Sequence, residues 1–172
     1  MAVTITAAAA ADFPQRPLRI LTPFSAGSTT DIVARPLAAR MSETWGQPVV
    51  VDNRAGAGGS IAAEIVAKAT PDGHTLLIGA TGPSAVNPSL IKNPGYDSQR
   101  AFAPITLTST NNLLLVVSMA VPVKTVKELV DLAKSKPGQL RFASPGTGSS
   151  PHLAGELFKS LAGIDLVHVP YK

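Results

Sequence analysis

The chain is organised around the stretch Arg19-Ile20-Leu21-Thr22-Pro23-Phe24-Ser25-Ala26-Gly27-Ser28-Thr29-Thr30-Asp31. It predicts a buried strand over 18–21, a tight turn over 23–27 and a helix that begins near Thr30. A strand that leads through such a turn into a helix leaves several backbone N–H groups without partners and pointing the same way. Donors arranged like this can bind an anion, and we expect a carboxylate here.

A second stretch, Ser144-Pro145-Gly146-Thr147-Gly148-Ser149-Ser150-Pro151-His152, repeats this design. We expect the two turns to face each other and to hold one carboxylate between them. Both follow strands at the carboxyl edge of a sheet, where open α/β sheets bind ligands. Both also carry more hydroxyl groups than one helix cap needs, and the exit of a third strand can add Thr81, Ser84 and Asn87. Ordinary helix capping without any ligand remains the alternative.

Composition restricts the class of protein. The chain has 172 residues, 45% apolar and 15% charged, which suits one globular domain or two small ones. The formal charge is +4, but Lys and Arg are scattered and aromatic residues make up only 5%, so no nucleic-acid partner is expected. Cysteine is absent, which excludes disulfides, thiol nucleophiles and cysteine-based metal sites. The spacing of His, Asp and Glu predicts no metal site, and no cofactor is expected.

The order of predicted elements is that of an α/β protein. Strands over 17–21, 47–52 and 75–80 alternate with helices that start at Thr30 and Ser60, and this order predicts a parallel sheet with right-handed crossovers. A linker is expected over 91–103 and two strands over 104–118. A helix that begins with the Thr125/Glu128 capping box follows. Next come a strand over 140–143, a helix capped by Ser150 and a strand over 165–169.

Helical spacing of large apolar residues predicts which helix faces are buried. The expected faces are Val33, Leu37, Met41 and Trp45 in the first helix, Ile61, Ile65 and Val66 in the second, and Leu153, Leu157 and Leu161 with Ala154 and Phe158 in the last. Pro36 lies past the first turn of its helix, so we expect a kink there or a helix that starts later.

Motifs of common enzymes are missing or incomplete. The glycines at 56–59 lie between a strand and a helix, but Ile61 occupies the third glycine position of a dinucleotide fingerprint. No catalytic residue is assigned. Ser149 or Ser150 with His152 leaves acyl transfer only as an alternative, because no third group that would orient His152 is evident.

Many ordered stretches resemble one known family, the tripartite tricarboxylate transporter substrate-binding proteins, also called the Bug family and related to the TctC component. The matching stretches are 13–17 (FPQRP), 23–27 (PFSAG), 31–35 (DIVAR), 47–54 (QPVVVDNR), 56–59 (GAGG), 71–77 (PDGHTLL), 87–90 (NPSL), 151–158 (PHLAGELF) and 168–172 (HVPYK). The resemblance covers nearly the whole chain from about Phe13.

The resemblance implies an α/β fold like that of type II periplasmic binding proteins, with two parallel or mixed sheets flanked by helices. It implies that 13–103 is the first part of domain I and 104–172 the first part of domain II. Residues 1–12 would be a signal remnant or a disordered tail. A non-enzymatic receptor in the periplasm is expected, which binds a small organic acid in the cleft between domains and has membrane permease subunits as partners.

Carried over residue by residue, the resemblance gives a set of ligand-binding positions. They are Phe24, Ser25, Ala26, Gly27, Ser28, Thr29, Thr30, Asp31, Thr81, Ser84, Asn87, Gly146, Thr147, Gly148, Ser149, Ser150 and His152. Ser28 departs from the family, which usually has a second glycine after Gly27.

Family members are about twice as long, at the upper range of a two-domain chain. The chain therefore looks truncated, with the C-terminal half of the family fold absent. We expect the faces left open to be covered in a homodimer or domain-swapped assembly. The alternative is a structural, self-assembling unit without a working pocket.

Overall fold

The computed structural model describes residues 13–171, which form two parallel sheets with helices packed against them. The predicted signal remnant over 1–12 lies outside these residues. The three-stranded sheet has the order β2-β1-β3 and the two-stranded sheet pairs β4 with β5. The strands are β1 (Leu18–Thr22), β2 (Val49–Asn53), β3 (Thr75–Leu77), β4 (Arg141–Ser144) and β5 (Val167–Pro170). The helices are α1 (Thr29–Trp45), α2 (Ser60–Ala67), α3 (Asn87–Leu90), α4 (Val126–Ser135) and α5 (Ser150–Ala162).

Every strand pair is parallel, which confirms the α/β class. We call residues 13–103, which hold the three-stranded sheet, the first unit, and residues 121–171, which hold the two-stranded sheet, the second unit. The expected division into domains after residue 103 stays a prediction. None of the described helices is long and apolar enough to span a membrane.

The central strand β1 anchors the first unit. Leu18, Ile20 and Leu21 are at most 1% exposed, and each such burial contributes roughly 1.5–3 kcal/mol relative to exposure. Strands on both sides and helices on the faces explain this burial, since parallel sheets are normally covered on both faces. The short turn after β1 therefore begins from a rigid base.

The residue that caps α1 lies two positions before the expected one. Ser28 is the N-cap, and its Oγ accepts the backbone N–H of Asp31 at 3.4 Å. The helix begins at Thr29, which confirms the predicted start near Thr30, but Thr30 lies inside the helix, so its assignment as the cap is wrong. The helix continues through Pro36, so the expected later start is wrong too, and it ends at Gly46, where φ is 64°.

The buried face of α1 is made of small residues. Ala34 and Ala38 are buried against Ile20, whereas Leu37 and Trp45 are 37% and 39% exposed. Met41 of the predicted face packs against this core, but the prediction is wrong for Leu37 and Trp45. Alanines let the helix approach the sheet closely, and a count of large apolar residues misses this. In α2, likewise, Ala62 and Ala63 are buried while Ile61 is exposed.

The second unit is held by a smaller core. Ala133, Ile164 and Leu166 are buried there, and Phe142 and Phe158 pack against them. This core joins α4 and α5 to the two-stranded sheet.

The capping box predicted for α4 is present in part. Thr125 Oγ1 accepts the N–H of Glu128 at 3.2 Å. The Glu128 carboxylate accepts the N–H of Lys124 at 2.6 Å rather than that of Thr125. The helix therefore starts where the sequence predicted.

Helix α5 buries only part of the predicted face. Leu157 and Leu161 of that face are 59% and 79% exposed, whereas Phe158, also predicted to be buried, packs against the core together with Ala162. A two-stranded sheet is narrow and supports only one side of the helix. Ser149, not Ser150, is the N-cap residue, and Pro151 lies in the first turn.

The two strands predicted over 104–118 are not formed, and that prediction is wrong. The whole stretch from 104 to 120 is exposed and contains no helix or strand. Its apolar side chains are strongly accessible, with Leu114 at 84% and Val116 at 74%. A strand is stabilised by pairing with a neighbouring strand. Within residues 13–171 no strand pairs with this stretch.

Candidate functional site

A cleft of about 620 Å³ lies where the two units meet, beyond the carboxyl ends of β1 and β3. Both predicted turns and the exit of β3 contribute to its wall, together with part of the exposed stretch after the first unit. The lining residues are Phe24, Ser28–Thr30, Leu77–Gly82, Ser84, Thr106–Ser109, Asn111, Leu113, Pro145, Ser150 and Pro151. No ionisable side chain lines the cleft among the residues that the structure describes.

The N-terminus of α1 forms one side of the cleft. Thr29 and Thr30 are the first two helical residues, so helix geometry leaves their N–H groups without partners in the helix. The hydroxyls of Ser28 and Thr30 lie 3.2 Å apart. A helix of 17 residues also carries a partial positive charge at this end. This side of the cleft therefore suits an anion.

Asp31 does not line the cleft but stabilises this turn through hydrogen bonds. Its carboxylate accepts the Gly27 N–H at 2.8 Å, two N–H groups of Arg35 at 2.8 and 2.9 Å, and the Asn53 amide at 2.9 Å. The Asn53 amide also donates to the Phe24 carbonyl at 3.1 Å. Hydrogen bonding from Arg35, then from Gly27 and Asn53, lowers the pKa of Asp31 from 3.8 to about 2. Asp31 is therefore an ionised support of the turn.

The N-terminus of α5 forms the opposite side. Ser149 is fully buried, and its Oγ donates to the Gly146 carbonyl at 2.6 Å. Ser150 is the first helical residue and lines the cleft, while Pro151 has no N–H to offer. This turn therefore presents the hydroxyl and the backbone N–H of Ser150.

A pair of histidines lies behind the second turn. The rings of His152 and His168 are 4.1 Å apart, and His168 Nε2 is 2.7 Å from Ser144 Oγ. Burial, and next the charge of His152, lower the pKa of His168. His152 Nδ1 accepts the Gly148 N–H at 3.2 Å, and among the described residues no serine hydroxyl hydrogen-bonds to His152. The acyl-transfer alternative gains no support from this geometry.

The structure brings only part of the predicted site residues to the cleft. Those that line it are Phe24, Ser28, Thr29, Thr30, Thr81, Ser84 and Ser150. Those that do not are Ser25, Ala26, Gly27, Asp31, Asn87, Gly146, Thr147, Gly148, Ser149 and His152. Several of the latter bond to the backbone of the turns instead.

Sequence reasoning missed the wall contributed by 106–113. Thr106, Thr108, Ser109 and Asn111 add polar groups there, and Leu107 and Leu113 add apolar surface. The density of Ser, Thr and Asn in this stretch is a usable signal for a binding wall, whereas its apolar residues favour the strand prediction.

Comparison with known proteins identifies relatives for most of the chain. The model of the family described as "Tripartite tricarboxylate transporter family receptor" matches residues 33–172. The UPF0065 protein in the tcbD-tcbE intergenic region of Pseudomonas sp. (strain P51) is 44% identical over 160 residues, which cover 93% of this chain and 47% of the relative. The chain spans about half the length of the curated relatives it matches.

Solved structures share the fold over a similar span. MatC (Rpa3494) from Rhodopseudomonas palustris with bound malate gives a TM-score of 0.86 at 35% identity, covering 92% of this chain and 54% of that one. R. palustris Rpa4515 with adipate gives 0.83 at 38% identity, covering 94% and 54%. A periplasmic transporter gives 0.82 at 41% identity, covering 92% and 53%. The fold is therefore that of periplasmic binding proteins, of which this chain forms about half.

Proposed function

Because the chain belongs to the tripartite tricarboxylate transporter receptor family, we propose that it is part of an extracytoplasmic receptor that captures a small organic acid for uptake. One carboxylate of the solute binds between the turn at the start of α1 and the turn at the start of α5. The observation that carries the proposal is the shared cleft, which both helix N-termini and the exit of β3 line.

The chemistry of the lining favours a carboxylate held by neutral donors. The first-turn N–H groups of α1 and the hydroxyls of Ser28, Thr30 and Ser150 supply hydrogen bonds, and the two helix ends favour negative charge. Leu107 and Leu113 offer apolar surface to the hydrocarbon part of the solute. Two neighbours were solved with dicarboxylates, malate and adipate, so a dicarboxylate is the first solute to test.

The expected partners follow from the family. The loaded receptor would deliver its solute in the periplasm to the membrane permease subunits of a tripartite transporter, and no reaction is catalysed. Self-association is part of the proposal as well, because the apolar stretch over 104–119 is exposed. If no acid binds, the remaining function is that of a structural, self-assembling unit.

Binding is tested by titrating the purified chain with adipate and malate in a calorimeter and by thermal shift. Adipamide, which keeps the carbon chain but has no carboxylate, is the control ligand. A true solute at a hundredfold excess over its Kd stabilises the chain by about 2.7 kcal/mol. A panel of dicarboxylates and aromatic carboxylates that produced no shift would remove the proposed function.

The site is tested with two serines on one helix. Ser150→Ala removes a hydroxyl that lines the cleft, whereas Ser160→Ala removes an exposed hydroxyl elsewhere on α5. We expect Ser150→Ala to raise the Kd about tenfold, the usual effect of losing a hydrogen bond to a charged group. Ser160→Ala should leave the Kd unchanged. Equal Kd values in both variants would exclude Ser150 from the site.

A further inference from the structure

The two units approach each other closely through backbone at two glycines of the first unit, Gly58 and Gly82. Gly58 in the first unit lies against the Thr147 carbonyl of the second, so closely that a Cβ on Gly58 would overlap it. A Cβ on Gly82 would lie 2.7 Å from the Gly148 carbonyl oxygen. Gly58, Gly82 and Gly148 are all buried. These three positions therefore have no room for a side chain.

Asn87 fills the space behind this contact and is 1% exposed. Its Nδ2 donates to the Gly58 carbonyl at 3.1 Å, the Ala57 carbonyl at 3.3 Å and Ser60 Oγ at 2.9 Å. Its Oδ1 faces Gly148, where a Cβ would overlap it. One side chain thus holds the turn over 56–60 and is pressed against the turn of the second unit.

The position of Gly148 determines where Ser150 lies. Gly148 donates its N–H to His152, and Ser149 is bonded twice to the Gly146 carbonyl, at 3.2 Å through its N–H and 2.6 Å through its hydroxyl. These bonds make the turn a rigid piece, so a shift of Gly148 carries the donors of Ser150 with it.

We propose that Asn87 is a positioning residue that sets the width of the cleft. Its side chain fixes the turn over 146–150 against the turn over 56–60, and this fixes the distance between the donors at the starts of α1 and α5. Asn87 acts on the solute through Gly148 and does not contact it. This role replaces the expectation that Asn87 binds the ligand.

The first test measures the distance between the units and needs no ligand. The chain has no cysteine, so Thr44→Cys in α1 and Ser160→Cys in α5 give one spin-label pair for pulsed EPR. Gly148→Ala, which drives a methyl into Asn87, should shift the distance distribution to longer values or broaden it. Gly82→Ala, a milder overlap at an ordinary φ, serves if Gly148→Ala fails to fold. Gly163→Ala is the matched control, since its φ is also positive (+62°) but no atom lies within 4 Å of the added Cβ.

The second test uses affinity for adipate and rests on the proposed function. Gly148→Ala should raise the Kd about tenfold or more, while Gly163→Ala should change it less than twofold. Asn87→Ala removes the side chain that the new methyl group would meet. In the Asn87→Ala background, Gly148→Ala should therefore raise the Kd little further, and the double-mutant cycle should be non-additive.

The two tests separate the failure of this inference from that of the proposed function. The positioning role would be overturned if the effects of Asn87→Ala and Gly148→Ala on the Kd were additive. It would also be overturned if Gly148→Ala raised the Kd without changing the distance between the spin labels. Absence of adipate binding in every variant would count against the proposed function, and the label distances would still decide the role of Asn87.

Discussion

At the residue scale, buried polar side chains shape the cleft by bonding to the backbone around it. Asp31, Asn87 and Ser149 are each at most 3% exposed, and each hydrogen-bonds to a backbone group of a turn. Buried polar groups need such partners, because an unpaired one costs free energy. From the sequence alone, these side chains are expected to contact the ligand. Only their surroundings in the folded chain distinguish a ligand contact from a hydrogen bond to the backbone of a turn.

Replacement of Asp31 should produce a pH-dependent loss of stability. Asp31→Asn puts an amide nitrogen against the Gly27 N–H or the Arg35 guanidinium, so the melting temperature should fall by a few degrees at neutral pH. The pKa of Asp31 is lowered from 3.8 to about 2 in the folded chain. Its stabilising effect is therefore fully present above the unfolded value and is lost as the pH falls through about 2.

Urea unfolding at pH 7, 5 and 3 measures this effect. The gap between wild type and Asp31→Asn should be widest at pH 7 and should narrow once the pH drops below 4. Asp131→Asn is the control, because Asp131 also pairs with a cation four residues away, Lys127, but is 60% exposed. A gap of constant size across the pH range would show that Asp31 is not an ionised support.

At the element scale, the order of strands and helices was predictable because parallel crossovers allow few arrangements. The run around Ile20 and the three valines at 49–51 indicate two neighbouring parallel strands, and the structure pairs Ile20 with Val51. The glycines at 46 and 163 mark the ends of α1 and α5, where the backbone takes a positive φ.

What the sequence missed depends on neighbours that are distant along the chain. The apolar run over 113–117 has the composition of a strand, but pairing requires a partner at its edge. The face of α1 depends on how closely the helix approaches the sheet. For the site, the sequence located both turns but could not show that Asp31 and Ser149 point to the backbone. It also missed the wall over 106–113, whose place depends on the path of the chain between the units.

The packing of α1 gives a prediction at this scale. Ala34 is fully buried in the core, so Ala34→Leu should reduce the free energy of unfolding by about 1–3 kcal/mol through overpacking. Leu37→Ala removes a partly exposed side chain and should cost less than the 2–5 kcal/mol typical of a buried leucine. Urea denaturation measures both. A larger cost for Leu37→Ala would favour the face of large residues expected from the sequence.

At the scale of the whole molecule, two surfaces distinguish this chain from a closed globular protein. The contact between units at Gly58 and Gly148 is tight, and the Asn87 side chain fills the space between the two turns. The stretch over 104–119, in contrast, leaves a row of large apolar groups in solvent, among them Leu107, Leu114 and Met119. A large exposed apolar surface of this kind generally marks an interaction site.

We therefore expect the purified chain to self-associate through 113–117. Leu114 and Val116 are 84% and 74% exposed, and a segment without a strand partner can pair with the same segment of a second copy. Sedimentation velocity and light scattering at increasing concentration should show a dimer or a larger assembly. Leu114→Lys combined with Val116→Lys should shift it to monomer, because the introduced like charges would face each other across the pair.

Thr110→Lys is the control for added charge, since Thr110 lies in the same exposed stretch outside the apolar run and does not line the cleft. Thr110→Lys should leave the assembly intact, because it changes none of the apolar side chains through which the two copies associate. Dissociation by Thr110→Lys would mean that net charge alone controls the assembly. A wild-type chain that stayed monodisperse and monomeric at every concentration would exclude self-association, because the exposed leucines and valines would then be stable in water unaided.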